Sequence, residues 1–135
     1  NIKNIINHTI KKREDFRPFA PAVLEEHYKD YFDTNSPSPY MSRICKVKSD
    51  KVPGITHVDG TARIQTVNKK FNEKFYNIIN EFYKITGIPM LLNTSFNCQE
   101  PIVETPRHAL KTFKKTDLDL LVINDYIVRD KNEYI

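Results

Sequence analysis

The chain has 135 residues, 39% hydrophobic and 28% charged, with 21 Lys and Arg against 17 Asp and Glu. This balance excludes a disordered tail and leaves enough chain for one domain with a real core. The resulting net charge of +4 favours anionic ligands and is too small to argue for a nucleic-acid binder by itself.

Cys45 and Cys98 make neither a disulfide framework nor a paired metal-ligand spacing, and they fit a reducing cytoplasm. No apolar run approaches membrane-spanning length and no signal peptide is visible, so a cytoplasmic protein is expected. The chain opens without an initiator Met and reads from its first residues as the middle of a helix, hence as a piece of something longer.

Residues 3–12 fit a helix with Ile5, Ile6 and Ile10 on one side. Lys11, Arg13 and Arg17 follow, just ahead of a proline-punctuated apolar segment. Pro18 pushes Arg17 toward extended backbone, and Phe19–Val23 reads as a short buried strand. Cations at the start of a buried strand suit capture of a phosphate or carboxylate; a solvated basic face is the plainer reading. Residues 25–32 fit a short helix or turn with Tyr28, Tyr31 and Phe32 inward, and 33–39 a loop. Residues 40–47 fit a strand, 49–53 a polar and mobile connection, and 54–60 a glycine turn.

Residues 61–67 alternate as a strand, with Ala62, Ile64 and Thr66 on one face and Thr61, Arg63, Gln65 and Val67 on the other. The clearest helix is expected over 69–86, with Phe71, Phe75, Ile78, Ile79, Phe82 and Ile85 forming one face and Gly87 and Pro89 stopping it. Residues 90–93 fit a strand ending in the turn 94–97. Thr105-Pro106 predicts a cap and first helical residue for a helix to about Lys115, with Ala109, Leu110 and Phe113 inward. Residues 120–123 and 126–129 fit strands about an Asn124-Asp125 hairpin turn. The sum is an α/β (α+β) domain with a twisted mixed sheet flanked by helices.

Arg63 follows a glycine turn on a strand that fixes its face, and its planar fork suits phosphate or carboxylate. A surface arginine on a half-exposed sheet is the alternative. In the 91–97 segment, the Ser95 hydroxyl and the Asn93 and Asn97 amides could bind phosphoryl or carbonyl oxygens, or only satisfy their own turn. His57 and Asp59 read either as an acid/base pair or as a structural histidine beside a turn. His8, His27 and His108 lack metal-ligand spacing, and with three glycines there is no glycine-rich phosphate loop. No metal ligand is expected in this chain.

Four stretches, in order, carry a resemblance: Lys11-x-Arg-Glu-x-x-Arg-Pro-Phe-Ala-Pro21, Thr56-His-Val-Asp-Gly-Thr-Ala-Arg-Ile-Gln-Thr-Val67, Gly87-Ile-Pro-Met-Leu-Leu-Asn-Thr-Ser-Phe-Asn97 and Glu100-Pro-Ile-Val-Glu-Thr-Pro106. Together they resemble the C-terminal, YrdC-like domain of the NodU/CmcH/TobZ O-carbamoyltransferases. The resemblance implies a single YrdC-like domain over 1–135, truncated at its N-terminal side. It implies that ATP with Mg²⁺ and carbamoyl phosphate form a carbamoyladenylate here. An N-terminal actin-like ATPase-type domain, absent from this chain, would bind iron and pass the carbamoyl group to a hydroxyl acceptor.

The resemblance also implies a cationic clamp of Lys11, Arg17 and Arg63 and a Ser-x-Asn element of Ser95 and Asn97, with Arg13 and Asn93 as further nucleotide contacts. The family's Gly-Pro-Arg-Ala-Leu-Gly segment does not occur, which leaves the activity of the fragment alone in question. A non-catalytic nucleotide- or RNA-binding module of the same fold is the alternative.

Overall fold

The computed structural model of the chain describes residues 2–132. They form two compact units, one of Phe16–Thr94 and the other of Ile2–Asp15 with the chain from Ser95 onward.

The first unit is built on a five-stranded mixed sheet in the order β2-β3-β4-β1-β5. Its strands are β1 (Ala20–Leu24), β2 (Phe32–Asp33), β3 (Arg43–Val47), β4 (Thr61–Val67) and β5 (Met90–Asn93). β1 runs parallel to β4, pairing Ala22 with Gln65, and antiparallel to β5, pairing Ala20 with Asn93. β3 runs antiparallel to β4, with Ile44 opposite Arg63. Every residue of β1 is buried, which explains its unbroken apolar run. Pro21 pairs with Leu92 of β5 and precedes the first pairing with β4, so its missing N–H costs the β4 ladder nothing.

One face of this sheet packs Val23, Cys45, Ala62, Ile64 and Met90 against Tyr28, Phe32, Val52 and Ile55. Tyr28 comes from a short helix, α2 (Tyr28–Tyr31), that follows a 3-10 turn over Glu25–His27. The segment expected to be a mobile connection therefore contributes Val52 to the core, where β-sheet burial outweighs its polar neighbours. On the other face Ala22, Leu24 and Val67 receive Ile79 of α3 (Glu73–Thr86), flanked by Phe75, Tyr76 and Tyr83.

α3 begins four residues later than the pattern suggested, because the Asn72 side chain accepts the Phe75 N–H and caps the helix there. Gly87, at φ 72, closes it. Of the six apolar residues expected inward, Ile79 is buried and Phe75 packs half-buried beside it; Ile78, Phe82 and Ile85 are exposed, and Phe71 lies outside the helix and exposed. β3 starts at Arg43 rather than residue 40, and Tyr40 points to solvent.

In the second unit α1 (Ile2–Ile5) continues into a π-helical turn over Ile6–Lys11, which ends on Lys12 in the left-handed region. Of the expected inner face, Ile5 is exposed, and the wide turn buries Asn7 and Lys11 instead. α4 (Pro106–Lys115) is capped by Thr105, whose hydroxyl accepts the His108 N–H at 3.1 Å. It packs Ala109 and Phe113 on a hairpin of β6 (Leu121–Ile123) and β7 (Tyr126–Val128), through Leu121 and Val128. Asn124 takes the positive φ that a tight hairpin turn requires. The mixed α/β expectation is met. No helix among the described residues is long and apolar enough to cross a membrane.

Candidate functional site

The most concentrated polar construction lies in the second unit. The π-helical turn draws Asn7 and Lys11 inward, to 0% and 4% exposure. The Lys11 ammonium donates to Ser95 O at 2.8 Å, Asn97 O at 2.8 Å, Asn97 Oδ1 at 2.7 Å and Ser95 Oγ at 3.3 Å. The Ser95 hydroxyl itself donates to Asn97 Oδ1 at 2.7 Å. Asn97 Nδ2 donates to Glu100 O at 2.8 Å, and Glu100 Oε1 accepts the Thr112 hydroxyl at 2.8 Å and the Cys98 N–H at 3.3 Å.

One buried cation thus holds both ends of a Ser-x-Asn bend, with no carboxylate in contact. Burial, then the Arg13 charge, pull the Lys11 pKa below its ordinary value. The Thr112 hydroxyl and the Cys98 N–H pull that of Glu100 down. Arg13 Nε donates to Asn7 Oδ1 at 2.8 Å, so Asn7 fixes Arg13 while its own Nδ2 reaches Asp15 O at 3.4 Å.

The first unit holds Arg17, Arg63 and Asn93. Arg63 is exposed on β4, on the same sheet face as Gln65 by strand alternation. Asn93, the last residue of β5, donates from Nδ2 to Gln65 Oε1 at 2.6 Å, and Gln65 Nε2 donates to Pro39 O at 3.2 Å. Arg63, Gln65 and Asn93 therefore share the end of the sheet face that lies beyond α3, with Ile44 beside them at 66% exposure. Arg17 is exposed in the segment leading into β1.

Sequence reasoning missed Asn7, Gln65, Glu100 and Thr112. Gln65, two residues beyond Arg63, and Asn7, one helical turn before Lys11, carried positional signals.

His57 and Asp59 do not meet as an acid/base pair. Both converge on Thr61, whose hydroxyl donates to Asp59 Oδ1 at 2.6 Å and lies 3.1 Å from His57 Nδ1. Asp59 Oδ1 also accepts the Thr61 N–H at 3.0 Å. With Gly60 at φ 76, they shape the turn into β4. The Thr61 hydrogen bonds lower the Asp59 pKa.

Two cavities lie elsewhere in the first unit, about 240 Å³ beside His27, Tyr31 and Tyr83 and about 430 Å³ beside Glu25, Glu26 and Asn68. Neither is lined by an expected site residue, and the two glutamates of the larger disfavour a triphosphate. Among the described residues no cluster of His, Cys, Asp and Glu could hold a metal ion.

The sequence profile described as Carbamoyltransferase C-terminus matches residues 1–130. The chain belongs to this family. Relatives of the carbamoyltransferase C-terminus include nodulation protein NolNO of Sinorhizobium fredii, 46% identical over 136 residues, which cover 96% of this chain and 20% of the relative. An uncharacterized protein of Methanocaldococcus jannaschii is 43% identical over 130 residues, covering 93% of this chain and 25% of its own length. Nodulation protein U of Sinorhizobium fredii is 45% identical over 91 residues, covering 65% and 16%. The chain thus spans a fifth to a quarter of the first two relatives, as befits a C-terminal domain.

Proposed function

We propose that this chain is the adenylate-forming part of an O-carbamoyltransferase, binding ATP and carbamoyl phosphate. The observation that carries the reading is the bend itself: Lys11, Ser95 and Asn97, far apart in sequence and all in the family's motif stretches, form one hydrogen-bonded unit. The Lys11 donors are occupied by protein oxygens, so its role is to hold the bend. Arg17 and Arg63, both exposed and both in the motif stretches, are the cations assigned to phosphate, with Asn93 of the same unit and Arg13 of the other as further contacts.

Water cleaves carbamoyl phosphate to carbamate and inorganic phosphate, and a carbamate oxygen then attacks the α-phosphorus of ATP. The bond to the β-phosphate oxygen breaks and pyrophosphate departs. An acceptor hydroxyl then attacks the carbamoyl carbon, loses its proton and displaces AMP. Charge builds on phosphoryl oxygens, where one positioned donor is worth roughly 2.7–4 kcal/mol of barrier. Mg²⁺ arriving with ATP would supply further charge neutralisation on the phosphates and needs few protein ligands. The acceptor and the iron-bearing domain belong to the longer family proteins.

Calorimetry of the chain with Mg-ATP tests the reading. Arg63→Ala and Arg17→Ala are each expected to lower affinity at least about tenfold with the circular dichroism unchanged. Unchanged affinity in both variants removes the assignment. Steeply salt-dependent RNA binding, with no pyrophosphate released from ATP and carbamoyl phosphate, favours a binding module instead.

A further inference from the structure

Gln65 is held at both ends of its amide. Its Nε2 donates to Pro39 O at 3.2 Å, and its Oε1 accepts Asn93 Nδ2 at 2.6 Å. The direction of this chain is forced. A backbone carbonyl only accepts, so Pro39 O must meet the NH₂ of Gln65. Gln65 Oε1 is thereby turned toward β5, where only the NH₂ of Asn93 can answer it. Asn93 spends its donor on Gln65 and keeps Oδ1 as an acceptor. Among the described residues nothing donates to that oxygen.

The strand register shapes the ground beside it. Ala20 of β1 pairs with Asn93 of β5. On its other edge β1 pairs Ala22 with Gln65, and the same parallel register carried back two residues brings Ala20 level with Arg63. Arg63, Ala20 and Asn93 therefore stand in a row across three strands and share one face, the two ends about 9.6 Å apart. Ala20 gives the middle of the row no more than a methyl group. The Arg63 guanidinium has no hydrogen-bond or ion-pair partner among the described residues. A cation and an oriented acceptor thus flank an alanine floor.

We propose that Gln65 is a positioning residue, which holds Asn93 as the acceptor for the amino group of the carbamoyl ligand. The proposal rests on the carbamoyl-phosphate reading above and adds what selects the ligand. A carbamoyl group carries its NH₂ on the same carbon as the oxygen bonded to phosphorus. With the phosphate at Arg63, that NH₂ falls within the width of the row. The amino group of adenine is separated from its phosphates by a ribose and a purine ring, too far for the same row. Asn93 Oδ1 then accepts from NH₂ and disfavours a methyl group in its place, which would leave the oxygen unpaired. A reversed Asn93 amide would set NH₂ against NH₂ and lose that choice; the link through Gln65 to Pro39 prevents the reversal.

Calorimetry of the 135-residue chain with carbamoylphosphonate and acetylphosphonate tests this. Both resist hydrolysis, and they differ only in NH₂ against CH₃. The chain is expected to bind carbamoylphosphonate about tenfold more tightly. Gln65→Met keeps the stem and removes both hydrogen bonds. It should abolish the preference while leaving acetylphosphonate affinity within about twofold of the parent. Gln65→Val, a good strand former, gives the same reading if the methionine variant fails to fold. A parent chain that binds both phosphonates alike overturns the inference and leaves the carbamoyl-phosphate reading standing. A variant that weakens both ligands in equal proportion, or that keeps the preference, also overturns it, because a merely structural Gln65 would do the same. Binding of neither phosphonate by the parent removes the carbamoyl-phosphate reading itself, and this inference with it.

Discussion

Lys11 is the residue on which the bend depends. Its ammonium has three protons and meets four oxygens of Ser95 and Asn97 at 3.3 Å or less. Lys11→Met keeps the stem and removes the donors, leaving carbonyl oxygens of the bend unpaired. The expected loss is about 1–3 kcal/mol, measured by urea unfolding at neutral pH. The pH dependence has a definite sign. Because its folded pKa lies below 10.5, the folded chain gives up this proton before the unfolded chain does. Between the two pKa values the unfolded state binds more protons, so the stability contributed at Lys11 rises with pH across that window. The gap between wild type and Lys11→Met should therefore widen on approaching pH 10.5; a gap that narrows would contradict it.

The residue types at the bend were readable beforehand, as were their places in the motif. Their mutual use of each other was not, since pattern reading gives no distances. Lys11 was expected to face a phosphate, yet a π-helical turn and an 84-residue separation bring it to the backbone of Ser95. His57 and Asp59 show the converse. A two-residue spacing suggested a pair on one face, and a glycine at positive φ turned both toward Thr61.

Elements were legible where a side chain set a boundary or a period was unopposed. β4 spans 61–67 as read, and α4 starts at the Thr105-Pro106 cap. α3 was read correctly as a helix and only partly as to its face: Phe75 and Ile79 meet the sheet, while Ile78, Phe82 and Ile85 belong to a second apolar side that the same spacing cannot tell apart from the first. Substitution separates the two sides. Ile79→Ala, at 0% exposure, should cost about 2–5 kcal/mol in chemical denaturation. Ile85→Ala, at 83% exposure, should change stability by less than about 0.5 kcal/mol. Comparable losses for the two would mean that Ile85 packs inside the chain. The π-helical turn had no sequence signature in the apolar pattern, since Ile5, Ile6 and Ile10 fit an ordinary helix equally well.

Across the molecule, protection should follow the sheet order. β1 is an interior strand, paired on both edges and buried on both faces, so the amides of Val23 and Leu24 are expected to exchange only on complete unfolding of the first unit. Hydrogen exchange resolved by residue checks this, and faster exchange in β1 than at the edge strand β2 would refute it. The mixed sheet itself was foreseeable from alternating helical and strand periods. Its strand order was not, because pairing β1 with β4 depends on contacts across some 40 residues of intervening chain.

One arrangement bears on how the polypeptide is made. The sheet unit is continuous from Phe16 to Thr94, whereas the unit holding the bend is assembled from pieces on either side of it. During synthesis the early segment carrying Lys11 must wait, its ammonium hydrated, until the ribosome has released everything through Asn97. The sheet is free to form first, and the lysine latches last.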